Sequence, residues 1–69
     1  MIEVFKTNIE PAKAKPVIKL LAQSFPKYKI DVDLEDCDKV LRIEGEYIDV
    51  KMVIAVLKEE GFKCTVLNN

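Results

Sequence analysis

The sequence predicts an α+β fold: a ferredoxin-like βαββαβ plait, in which a four-stranded antiparallel sheet of strand order 4-1-3-2 carries two helices on one face. Three observations lead to it. Apolar and polar residues alternate through a hairpin in the middle of the chain, apolar residues at helical spacing flank that hairpin on both sides, and short runs rich in β-branched and aromatic residues close both ends. A strand–helix–strand crossover turns right-handed, so the two crossovers place both helices on the same side of the sheet.

Ile2 to Ile9 reads as the first strand, closed by Asn8 and Pro11. From Ala14 to Phe25 the residues Ala14, Ile18, Leu21, Ala22 and Phe25 fall on one helix face, which Val17 widens. Pro16 fits the opening turn of that helix, no Ser, Thr, Asp or Asn stands immediately before Ala14 to cap it, and Phe25-Pro26 ends it. In the hairpin, Ile30, Val32 and Leu34 alternate with Asp31, Asp33 and Glu35. After an Asp36-Cys37-Asp38-Lys39 turn, Leu41 and Ile43 alternate with Arg42 and Glu44. Pairing Leu34 with Leu41 sets Val32 opposite Ile43 and Asp33 opposite Arg42.

Gly45 breaks the strand, and Asp49 opens a second helix whose broad face holds Val50, Val53, Ile54, Val56 and Leu57. That face is expected to pack on the first helix, with Ile54 or Met52 partly exposed, and Gly61 is the C-terminal stop. Phe62 to Leu67 alternates Phe62, Cys64 and Val66 against Lys63 and Thr65, a strand with one buried face. The first strand admits two facings. Either Phe5, Thr7 and Ile9 meet the helices while Ile2, Val4 and Lys6 share the open side with Val40 and Leu67, or Ile2 and Val4 are buried and Phe5 is exposed.

Sixty-nine residues leave room for one domain, 1–69. Eleven basic against twelve acidic residues give a net charge of −1, too balanced for an electrostatic nucleic-acid surface or a polybasic membrane contact. An RNA-recognition reading of the plait fails as well, because Asp31 and Asp33 beside the middle strands repel phosphate. Histidine is absent and no nucleophile–base pair stands out, so an enzyme is not expected. Without an apolar leader or an 18-residue apolar run, a reducing cytoplasm is the expected compartment.

Three connections gather at one end of this topology: Asn8 to Lys13, Asp36 to Lys39, and Gly61-Phe62. They supply the candidate interaction residues Asn8, Glu10, Pro11, Asp36, Cys37, Asp38, Glu60 and Phe62. Cys37 in its turn and Cys64 in the last strand are expected about three strand spacings apart, roughly 14 Å, too far for a disulfide or a shared ion. Cys64 reads as a small core residue, and Cys37, flanked by acids, as an inert turn residue or an intermolecular contact. The acidic row from Asp31 to Asp38 is no calcium loop, since Asp36 stands where such a loop needs Gly and Arg42 where it needs Glu.

Val53, Val56-Leu57 and Gly61-Phe62 at the second helix, with Asp33-Leu34-Glu35 and Val40-Leu41-Arg42-Ile43 in the hairpin, resemble the heavy-metal-associated domain of copper chaperones and metal-transporting P-type ATPases. The similarity covers nearly the whole chain and implies the same plait. In that family a Gly-Met-x-Cys-x-x-Cys loop after the first strand binds soft metal through two thiolates. Here Asn8, Ile9, Pro11 and Ala14 take the Gly, Met, Cys and Cys positions, and Glu60 replaces a small apolar residue. The resemblance therefore implies the scaffold without its resident metal or other cofactor. The expected role is a non-enzymatic binding or regulatory module, with a protein partner or a second copy on the open sheet face or the loop end. The alternative is a residual copper or zinc carrier using Cys37 between molecules.

Overall fold

A computed structural model describes residues 1–35 and 37–67. In chain order the elements are β1 (Ile2–Thr7), α1 (Pro11–Ser24), β2 (Lys29–Asp33), β3 (Val40–Glu44), α2 (Val50–Glu59) and β4 (Cys64–Val66). The strands form one antiparallel sheet in the order β2-β3-β1-β4, the ferredoxin-like arrangement that the sequence predicts. Both helices lie over one face. Phe5, Leu41 and Ile43 from the sheet share a single core with Ala14, Val17 and Leu21 of α1 and Val53 and Leu57 of α2.

The core decides the facing of β1. Phe5, Thr7 and Ile9 are buried, whereas Ile2 is 59% exposed on the open side. Phe5 stands opposite Leu41 on one side and Val66 on the other, so the central strand places its aromatic ring where the layers meet. The strand itself ends at Thr7, and Ile9 remains in the core beyond it. β4 is likewise shorter than the alternation suggests, although Phe62 still packs on the core ahead of it.

The hairpin register differs from the expected one by two residues. Val32 pairs with Leu41, Asp31 with Arg42 and Ile30 with Ile43. A two-residue slip leaves every side chain on its own face, so alternation alone cannot detect it. Local hydrogen bonding selects the observed register. The Asp33 Oδ1 accepts the Glu35 N–H at 3.1 Å, an Asx-type turn that ends β2 before Leu34. Leu34 then turns back onto the core.

α1 begins at Pro11, three residues earlier than the apolar spacing indicates, so the connection before it is only Asn8 to Glu10. Pro11 occupies the first helical position, where a missing N–H costs nothing. Pro16 consequently lies inside the helix instead of in its opening turn. The hydrogen bond it forgoes is to the Ala12 carbonyl, and both residues are exposed, so water can serve that oxygen. The buried stripe is Ala14, Val17 and Leu21, while Ala22 faces solvent. α1 lies closest to β2, and α2 lies closest to β4 instead of α1. Met52 and Ile54 of α2 are exposed and half-buried respectively.

α2 is fixed at both ends. The Asp49 side chain accepts the Met52 N–H at 3.1 Å as an N-cap, and the Asp49 N–H in turn donates to the Tyr28 hydroxyl at 2.8 Å. The Tyr28 ring, stacked on Phe25 at 5.0 Å, lies against Gly45 so closely that a Cβ there would stand 2.9 Å from it. At the C-terminus, the Phe62 N–H donates to the Leu57 carbonyl and the Gly61 N–H to the Lys58 carbonyl, with Gly61 at φ +89°. Gly61→Ala leaves space unchanged but forces a side chain into the left-handed region. A loss of about 1–2 kcal/mol is expected, read as a lower urea midpoint with an unchanged slope.

Candidate functional site

Two surfaces bear on function, the loop end and the open sheet face. The loop end is organised by Thr7, the one buried polar residue of β1. Its N–H donates to the Asp38 carbonyl at 3.1 Å and its hydroxyl to the Lys39 carbonyl, while the same hydroxyl accepts the Ile9 N–H at 3.2 Å. Thr7 thus holds two residues of the connection ahead of β3, where Lys39 takes the left-handed conformation, φ 48°. The next residue completes the link, because the Asn8 Oδ1 accepts the Lys63 N–H at 2.8 Å. Two connections that are distant in sequence are therefore tied to the consecutive residues Thr7 and Asn8 at the end of β1.

These bonds place the candidate residues. Asn8 has its amide oxygen committed to the backbone ahead of β4. Glu10 is the residue before α1, with its carbonyl accepting the Lys13 N–H at 2.9 Å and its carboxylate exposed. Pro11 is exposed, while Ala14 is buried against the core. Asp38 forms an ion pair with Lys6 at 3.4 Å, and Cys37 is exposed beside it. Glu60 is exposed at the end of α2, and the half-buried Phe62 lines a shallow groove with Lys13, Pro16, Val17, Leu20 and Glu60. Asp36 lies outside the described residues. The groove and the Cys37 turn belong to different parts of this end and do not converge on one pocket.

The two cysteines are free. The Asp38 carbonyl and Cys64 flank Thr7 of β1 on opposite sides, since Asp38 accepts the Thr7 N–H and Cys64 pairs with Thr7. Among the described residues no three His, Cys, Asp or Glu side chains are grouped to hold a metal ion. Burial pushes the Cys64 thiol up from 9.0 to about 11. No helix among the described residues is long and apolar enough to cross a membrane.

The open face has a different character. In register, Lys29 stands beside Glu44 and Asp31 beside Arg42, so opposite charges meet across strands. Asp33, expected opposite Arg42, instead faces Val40. Ile2 and Val4 share this face, and the Leu67 N–H donates to the Val4 carbonyl at 2.8 Å, which brings Leu67 alongside. At the far end from Thr7, Lys27, Tyr28, Glu46 and Tyr47 line an open groove in which the Tyr28 hydroxyl is already bonded to the Asp49 N–H. Sequence reasoning missed Thr7 and Lys63 as the joints of the loop end. A hydroxyl at a helix-facing position of the central strand was the available signal for Thr7. Nothing marks Lys63, which contributes only its backbone.

Thr7→Val keeps the shape and leaves the Ile9 N–H and Lys39 carbonyl without their partner. A loss of about 1–3 kcal/mol is expected in urea unfolding, with Thr7→Ser close to the parent. For the cysteines, iodoacetamide at about pH 8 should modify Cys37 at least about tenfold faster than Cys64 by peptide mapping, since the thiolate is the nucleophile. The folded chain keeps the Cys64 proton after the unfolded chain releases it. This contribution to stability is therefore complete below pH 9.0 and declines towards pH 11, a decline that Cys64→Ala should lack in parallel melts.

No protein-family model, no curated protein and no solved structure matches this chain.

Proposed function

We propose that this chain is a non-enzymatic binding module, a plait of heavy-metal-associated type without the metal-binding loop, that engages a protein surface through its open sheet face. The observation that carries the reading is the division of the sheet. Both helices cover one face, and the other presents Ile2 and Val4 of the central strand with Leu67 beside them. A rim of charge surrounds that strip. Lys29, Asp31, Asp33, Arg42 and Glu44 are exposed around it, the pattern of a modest protein-contact patch with a polar border.

The chemistry of the loop after β1 supports the absence of metal transfer. Pro11 has no donor atom, and Ala14 is packed in the core, where a ligand side chain would have to leave its neighbours to reach an ion. Free cysteines suit a reducing compartment, which makes the cytoplasm the proposed location. The exposed Cys37 is the remaining soft donor, and two copies could share an ion through it.

Titration of the reduced protein with Cu(I) and with Zn(II) against a competing chelator separates these readings. Competition without uptake is the expected result. Stoichiometric binding that disappears in Cys37→Ser, with half an ion per chain, would replace the binding-module reading by metal carriage.

A further inference from the structure

We infer that the outer face of α1 docks an extended acidic segment of another protein, recognised as one apolar residue between two carboxylates. This surface lies on the helix side of the molecule, away from the open sheet face, and stands independently of that reading. The net charge of −1 conceals a segregation of charge along the chain. Residues 11–30 hold five lysines and no acid, whereas residues 31–49 hold eight acids against Lys39 and Arg42. On α1 itself Lys13, Lys15 and Lys19 are exposed, and none has an ion-pair partner among the described residues. Lys15 and Lys19 stand one turn apart on the same face, a like-charge pair whose repulsion an added anion relieves.

A furrow beside this face supplies the apolar contact. Because α1 lies closest to β2 and α2 to β4, a space remains that Pro16, Val17 and Leu20 line on one side and Phe62 on the other, bordered by the exposed Lys13 and Glu60. Its volume of about 220 Å³ is below that of a small-molecule pocket and suits a single aliphatic or aromatic side chain. Around the helix, at about 100° per residue, Pro16 and Ala12 fall between Leu20 and the Lys15–Lys19 pair. A chain laid along this ridge has the furrow on one side and the lysines on the other. Side chains of an extended segment alternate in direction, so the residue filling the furrow has both neighbours turned towards the lysines. Those neighbours are about 6.7 Å apart, against about 6 Å along the axis between Lys15 and Lys19. Pro16 withholds an N–H from the Ala12 carbonyl, which leaves an exposed acceptor on the ridge for an N–H of the docked segment. Nucleic acid fits less well, since Glu60 borders the furrow and α1 has no arginine or aromatic residue to meet a base. A membrane surface fits less well too, because Ala12, Lys15, Lys19 and Gln23 offer no bulky apolar group for insertion.

Fluorescence polarisation of labelled dodecapeptides, at about 0.05 and 0.5 M NaCl, tests this. The peptides carry glutamate-leucine-glutamate, glutamate-serine-glutamate or lysine-leucine-lysine at the centre of a glycine-serine background. The first should bind saturably below about 1 mM and weaken with salt, and the second should bind about tenfold more weakly. Lys15→Glu combined with Lys19→Glu leaves the core in place and should exchange the preference, losing the acidic peptide and gaining the lysine one. Coincident thermal melts of parent and variant exclude unfolding as the cause. No saturation by about 1 mM, binding indifferent to the leucine, or a preference that survives the charge reversal overturns the proposal. So does tighter binding of a thymidine dodecanucleotide or of phosphatidylserine vesicles that is lost with the same two lysines. None of these failures bears on the open sheet face, whose residues the variant leaves unchanged.

Discussion

Phe5 is fully buried between Leu41 of β3 and Val66 of β4, and its inward position fixes the parity of the central strand. Every other assignment of face follows from it. With Phe5 inside, Thr7 and Ile9 are also inside, Ile2 and Val4 are outside, and the neighbouring strands must offer Leu41, Ile43, Cys64 and Val66 to the helices. A shift of one residue would exchange all of these at once, placing a benzyl group in water and Lys6 among aliphatic side chains. The cost of burying an unpaired ammonium far exceeds the gain from hiding Ile2 and Val4, so the observed parity has no competitor.

The inward Thr7 then carries a second task. A hydroxyl in an apolar layer needs partners, and it finds them in the Ile9 N–H and the Lys39 carbonyl, which draws the β2–β3 connection over to β1. The left-handed Lys39 is a consequence of that attachment, and the exposed Cys37 is held at the rim of the same connection. Asn8 ties the other side through Lys63. The end of the molecule that carries the connections after β1, before β3 and before β4 is thus held by a framework of hydrogen bonds from the Thr7 and Asn8 side chains to the backbone.

The order and kind of the elements were legible because strand and helix periods differ and four boundaries have local punctuation: Pro26 after Phe25, Gly45 after Glu44, Asp49 before Val50, Gly61 after Glu60. The register of the hairpin was not, since slipping by two residues preserves the alternation and the deciding contacts come from Asp33 within its own turn and from Thr7 in a distant strand. The start of α1 was obscured by two prolines, each acceptable at a helix N-terminus, with Glu10 making no side-chain cap to distinguish them. Which helix-face residues are fully covered also depended on the tertiary arrangement. Ala22 fits the apolar spacing yet faces solvent because α1 leans towards β2. Of the loop-end residues, their gathering at one end was foreseeable from topology, whereas the hydrogen bonds that tie this end together originate in side chains without catalytic or ligand chemistry.

The two lateral margins of the sheet have one further consequence. β4 exposes a margin of only three residues, and β2 lines the other with Lys29, Asp31 and Asp33, so neither offers the long uncharged edge on which another chain could stack a strand. Fibril growth by strand addition is thereby discouraged at both rims. A small protein can then keep an uncovered β-layer in solution at high concentration without recruiting its neighbours into an amyloid-like array.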